Sequence, residues 1–298
     1  MEPLIAGGPS GKALLLTALA LLALAFVVMW WRHTRRAPDR PSWPPTWRGV
    51  AVGVITDFLD TLGIGSFATT TSLYKLGRVI PDEEIPGTMN IGHAVPTFAE
   101  AFIFIAVVEV EIKTLAALLA ASMVGAWFGA GAVASWPRRK IQRGMGVLLL
   151  VAAAIMVARQ LGVVPGGGDA LGLRGTRLAI GLAGNVLLGA LMTLGIGLFA
   201  PCMIMVALLG MNQSTAFPIM MGSCAFLMPA GSVRFLRQGR YNPRAALGLT
   251  LGGLPAVFIA AYIVKALPLT WVKWLVVAVV VYTATAMLRS AAKEKENA

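Results

Sequence analysis

Runs of about 20 apolar residues without a charge leave a chain few choices, because a stretch of that length matches the hydrocarbon core of a bilayer. Ala13 to Trp31 is the first such run. Several more follow, and 57% of all residues are apolar while only 13% are charged. A water-soluble core of this size has no room for that much apolar surface. The first run is not a secretory signal, in which positive charge precedes the apolar stretch. Here Glu2 and Lys12 precede it, and Arg32, Arg35, Arg36 and Arg40 follow it. It reads as a retained helix with its N-terminus outside.

The net charge of +12 is scattered. Lys and Arg fall in short blocks at 32–48, 138–143, 234–244 and 289–295, between apolar runs. A nucleic-acid surface would gather them on one face. Blocks of this kind mark cytoplasmic loops. Membrane lipid is therefore an expected partner, and nucleic acid is not. There is no Gly-x-Ser-x-Gly elbow, no His-Glu-x-x-His pair and no phosphate-binding loop. An enzyme and an ATP-driven pump are both disfavoured. No metal-ligand spacing or cofactor motif stands out. Cys202 and Cys224 read first as small buried apolar residues, with sulfur chemistry on a substrate as the alternative.

The chain also repeats itself. Thr61-Leu62-Gly63-Ile64-Gly65 recurs as Thr193-Leu194-Gly195-Ile196-Gly197, a shift of 132 positions. At the same shift Pro86 falls on Pro218 and Met89 on Met221. The expected organisation is an extra helix and basic loop at 1–47, repeat one at 48–161 and a Gly-rich linker at 162–177. Repeat two follows at 178–289, with a tail at 290–298. Placing all four basic blocks inside makes 49–77 a hairpin that enters and leaves from the cytoplasmic side. Each of its halves is too short to span. Segment 178–210 becomes its counterpart from outside. Each repeat is then a re-entrant broken-helix hairpin plus three transmembrane helices. An odd number of spans inverts one repeat relative to the other. The fold class is all-α integral membrane, with the C-terminus cytoplasmic, and a bacterial inner (plasma) membrane is expected.

Inverted repeats with broken helices are a pattern of secondary transporters. A broken backbone at membrane depth must line a cavity or lie buried in protein. The turns Gly63-Ile64-Gly65 and Gly195-Ile196-Gly197 are expected near the midplane. The half-helix after each turn aims its free N–H groups at the break, an arrangement that suits an anion. Ser66, Thr69 and Thr70 add hydroxyls. Thr88, Asn90 and Ser223, near the second pair of breaks at Pro86 and Pro218, are further candidates. Ionisable residues in spans are costly and therefore informative. Asp57 and Asp60 precede the first turn. His93 and Glu100 share a helix face, and their counterparts Ala225 and Ser232 do not ionise. These four are candidates for ion coupling or gating. Arg234 is a candidate guide for an anion or a residue reaching toward lipid headgroups. The small-residue face Gly125, Gly129, Ala132 suits packing within the fold or between copies, so a homo-oligomer stays open.

With its two Gly-Ile-Gly turns, Gly87-Thr88, and the corner Gly239-Arg240-Tyr241-Asn242-Pro243-Arg244, the chain resembles the TauE/SafE (sulfite exporter, TSUP) family over residues 48–289. It departs where that family continues with two more glycines. Here Ser66-Phe67 and Leu198-Phe199 follow the turns, and Ile219-Met220 replaces the second Gly-Thr. The resemblance implies a divergent member that carries sulfite, an organosulfonate or a related small anion, most simply as an exporter. The competing expectation is a cation or metal transporter built on Asp57, Asp60, His93 and Glu100.

Overall fold

A computed structural model describes residues 9–36, 43–163, 168–193, 198–263 and 270–296. It is all-helical, with no strand among the described residues. The helices are α1 (Pro9–Arg35), α2 (Trp47–Thr61), α3 (Ser66–Gly77), α4 (Ile85–Gly92), α5 (Ala94–Val107), α6 (Ile112–Ala134) and α7 (Arg138–Gln160). They continue as α8 (Gly175–Met192), α9 (Phe199–Leu208), α10 (Ala216–Gln238), α11 (Pro243–Ile263) and α12 (Thr270–Glu296). Among the described residues six helices are long and apolar enough to cross a membrane. A seventh span forms if α4 and α5 are taken together across their 41° bend. The chain is an integral membrane protein.

Local chemistry accounts for the hairpin of α2 and α3. The Thr46 hydroxyl caps α2 by accepting from the Gly49 N–H (3.1 Å). Gly63 and Gly65 then take φ of 84° and 99°, a region that glycine occupies without strain. The chain turns there and restarts at Ser66. Ile64 at the tip is buried in a small cluster with Leu149 and Ala153 of α7 and Val280 and Ala284 of α12. The tip therefore lies beside the C-terminal half of α7.

The bend between α4 and α5 has an equally specific cause. Pro96 has no N–H to give the Gly92 carbonyl four residues back. The Thr250 hydroxyl of α11 donates to that carbonyl instead, at 2.6 Å. His93 sits at the bend, where side chains from two other helices reach it.

The helices interleave crosswise. α2 packs on α11 and α8 on α6; α3 packs on α12 and α9 on α7; α7 and α12 pack on each other. Glycines make the closest of these contacts. A Cβ on Gly53 would stand 2.5 Å from the Leu249 carbonyl, and one on Gly129 would stand 2.7 Å from Ala190 Cα. Gly125 and Gly129 thus pack inside the fold against α8. This settles the choice that the sequence left open for those two residues. α1 is not a loose appendage: it packs on α5, with the Phe26 and Phe98 rings 6.2 Å apart, and on α10.

Candidate functional site

Three helices bring ionisable and hydroxyl side chains into one buried cluster. Asp57 and Thr61 lie one turn apart on α2 and face His93 and Glu100 on the bent span. Both Asp57 oxygens lie near His93 Nδ1, at 2.8 and 3.0 Å. On the far side of the ring, Nε2 is 2.9 Å from the Thr70 hydroxyl of α3. With Nδ1 donating to Asp57, Nε2 accepts from Thr70. Asp57, Thr70, His93 and Glu100 are fully buried.

Seven residues along the α4–α5 span, Glu100 Oε1 accepts from the Thr61 hydroxyl at 2.7 Å. Its Oε2 is buried without a partner. Asp60 Oδ2 accepts from the Ser66 hydroxyl across the hairpin turn, also at 2.7 Å. Asp57, Asp60 and Glu100 are close enough to feel one another's charge. No Lys or Arg among the described residues pairs with them. Nor does any group of three His, Cys, Asp and Glu side chains there stand close enough to hold a metal ion.

Asp60, Gly65 and Ser66 also border a small cavity of about 20 Å³, completed by Phe67, Met192, Leu198 and the α10 residues Met220, Met221, Cys224 and Met228. A void of that size admits about one water-sized body. Met192 and Leu198 flank the second Gly-Ile-Gly turn. The turn itself, with the candidates Gly195, Ile196 and Gly197, lies outside the described residues. Gly63 and Ile64 do not line this cavity; they border a separate gap with Met156, Arg159 and Gln160 of α7.

The other candidates are placed apart from the cluster. Thr69 turns its hydroxyl back onto the Gly65 and Ser66 carbonyls (3.0 and 2.8 Å). Thr88 Oγ1 accepts the Asn242 N–H at 2.9 Å, tying α4 to the corner before α11. Asn90 donates to the Pro86 carbonyl at 2.8 Å, and its Oδ1 is buried without a partner. Ser223 accepts from Asn185 at 2.9 Å. Arg234 stacks over Trp127, 4.4 Å from the ring centre.

Sequence reasoning did not single out Thr61, Thr250, Asn185 or Gly253 as site residues. Gly253 of α11 is the most telling of these. A Cβ there would strike the Asp57 carboxylate and stand 2.8 Å from Pro96 Cγ. Its only signal in the sequence is the Gly252-Gly253 pair within an apolar run.

These features define a helical membrane protein with a buried polar centre. Comparison gives it a family: the model of the sulfite exporter TauE/SafE family matches residues 4–156 and 177–298, and the chain belongs to that family. Its members are membrane transporters, which implies sulfite or another anion as the transported species. The match begins at residue 4 and so includes α1, which the repeat register leaves outside. No curated protein and no solved structure matches the chain.

Proposed function

We propose that the protein is a secondary transporter that exports a small anion, such as sulfite or an organosulfonate, by alternating access between two inverted repeats. The observation that carries this reading is the fully buried Asp57–His93–Thr70 chain, set beside Asp60–Ser66 and the central cavity. Buried ionisable groups of this kind mark ion pathways in membrane proteins. The crosswise packing of α2 on α11 and of α8 on α6 supports the two-repeat arrangement, because α8 and α11 follow α2 and α6 at the 132-residue shift. So does the match of every helix in 47–160 to a helix in 175–296 at that shift.

Charge dictates how an anion could use such a centre. Two unit charges about 5 Å apart repel by roughly 3 kcal/mol at an effective dielectric of 20. An anion entering beside three carboxylates meets that cost more than once. It therefore enters with protons on the cluster, and proton and anion travel together. The groups that face this centre are Asp57 and Asp60 of α2, His93 at the bend, Glu100 of α5 and Cys224 of α10. Cotransport of one proton with a monovalent anion moves no net charge and runs outward when the inside-to-outside ratio of the anion exceeds the outside-to-inside ratio of protons. A cavity for one water-sized body is too small for an oxyanion, so transport requires its two walls to separate.

The second reading is a cation carrier. It draws on the same carboxyl groups and on their lack of a Lys or Arg partner. Proteoliposomes loaded with labelled sulfite or organosulfonate separate the two. Anion efflux that depends on the protein supports the proposal. Flux of a mono- or divalent cation with no anion flux under any gradient sinks it. The inversion has its own check, in which Leu208→Cys should be labelled only from outside and Gln238→Cys only from inside. Labelling of both from one side refutes it.

A further inference from the structure

The central cavity has two chemically different walls, and the transport reading uses only one of them. The first repeat contributes Asp60. Facing it are Met192 at the end of α8 and Met220, Met221, Cys224 and Met228 of α10. The α10 residues recur at three- and four-residue spacing and so share one helix face. Cys224 Sγ lies 3.6 Å from Met192 Sδ, so sulfur atoms from two helices meet at the cavity. The repeat register shows that this is not a demand of the fold. Asp60 corresponds to Met192, Thr88 to Met220, Gly92 to Cys224 and Pro96 to Met228. Only Met221 corresponds to another methionine, Met89. At four of five positions, then, the sulfur is peculiar to the second repeat.

Four thioethers and a thiol around a space for one small body are ligands of one type: soft, polarisable and almost neutral. Such a set favours Cu(I) over the harder Na⁺, Mg²⁺ or Zn²⁺. We propose that this wall is a binding site for a single Cu(I) ion, held by Cys224 and the surrounding methionine sulfurs. Binding takes Cys224 as its thiolate and releases the thiol proton, which balances the charge of the ion. Asp60 lies across the same cavity. The ion would join α8 and α10 beside the hairpin of the first repeat. Cu(I) therefore fills the space between the two walls while bound to one of them. This site does not depend on which anion the protein carries.

The test uses the full chain, purified in detergent under anaerobic conditions and offered Cu(I) from its bicinchoninate complex, with Zn(II) as a control. Bound metal is counted after desalting. One Cu(I) per chain is expected, with no retained Zn(II). Cys224→Ser should weaken binding by about tenfold or more, and Met228→Leu should weaken it measurably while preserving core volume. Monodispersity on size exclusion confirms that each variant is folded. The proposal is overturned if no Cu(I) is retained. It is equally overturned if retention survives both substitutions, or if it is lost in Cys202→Ser and untouched in Cys224→Ser. Because the readout is metal content, failure of this site and failure of anion transport remain separate results.

Discussion

The two hairpin regions of this protein occupy matching places in the chain and differ in chemistry. Around the first, Asp57, Asp60, Ser66, Thr70 and His93 form a hydrogen-bonded cluster. At the matching positions the second carries Gly189, Met192, Leu198, Cys202 and Ala225. α2 packs on α11 as α8 packs on α6, and α3 on α12 as α9 on α7, so the difference lies in the side chains. In the proposed repeat register the carboxyl and imidazole side chains of this region thus lie on one side only. In the proposed transporter, symmetry would serve the motion between two states and asymmetry the coupling.

Breaking the polar half should have the largest effect. Asp57→Ala leaves His93 buried with its Nδ1 unpartnered, a loss of about 3–5 kcal/mol when one member of a buried pair is removed. Thermal unfolding in detergent should show this, and the double variant Asp57→Ala/His93→Ala should recover much of it. A double variant no better than the single one would mean that the pair is not a unit. Gly253→Ala comes next. The new methyl group must displace the Asp57 carboxylate or Pro96, at about 1–3 kcal/mol for overpacking, and flux should fall with stability. Unchanged flux would show that Asp57 need not hold this position.

Smaller effects sharpen the contrast. Thr250→Val leaves the Gly92 carbonyl without its donor at the bend and should cost about 1–3 kcal/mol in the same melting assay. In the second half, Met192→Leu should cost less than about 1.5 kcal/mol and leave proton-dependent flux intact. A loss of proton dependence there would erase the proposed division of labour.

Much of the scaffold was legible before any coordinates. The recurrence of Thr-Leu-Gly-Ile-Gly set the proposed repeat register, at which the helices of 47–160 overlap those of 175–296. The two glycines foretold the turn at 63–65, because positive φ is open to glycine and closed to most other residues. Asp57, His93 and Glu100 were picked out because charge is rare at that depth. Their partners were not legible. Asp57 and His93 are 36 residues apart, and their contact depends on the bend at Pro96 and on the space left by Gly253. Thr88 and Asn90 show the opposite failure. Polar residues beside a proline look like cavity lining in a sequence, but here Thr88 bonds the corner before α11 and Asn90 bonds its own helix.

The most direct measurement is efflux of a labelled organosulfonate, which stays ionised across the working pH range, from proteoliposomes with and without an acid interior. The account predicts that acidifying the interior accelerates efflux, and that Glu100→Gln still carries the anion but no longer responds to the gradient. Wild-type efflux indifferent to the pH gradient, or a Glu100→Gln variant that responds as the wild type does, would contradict it.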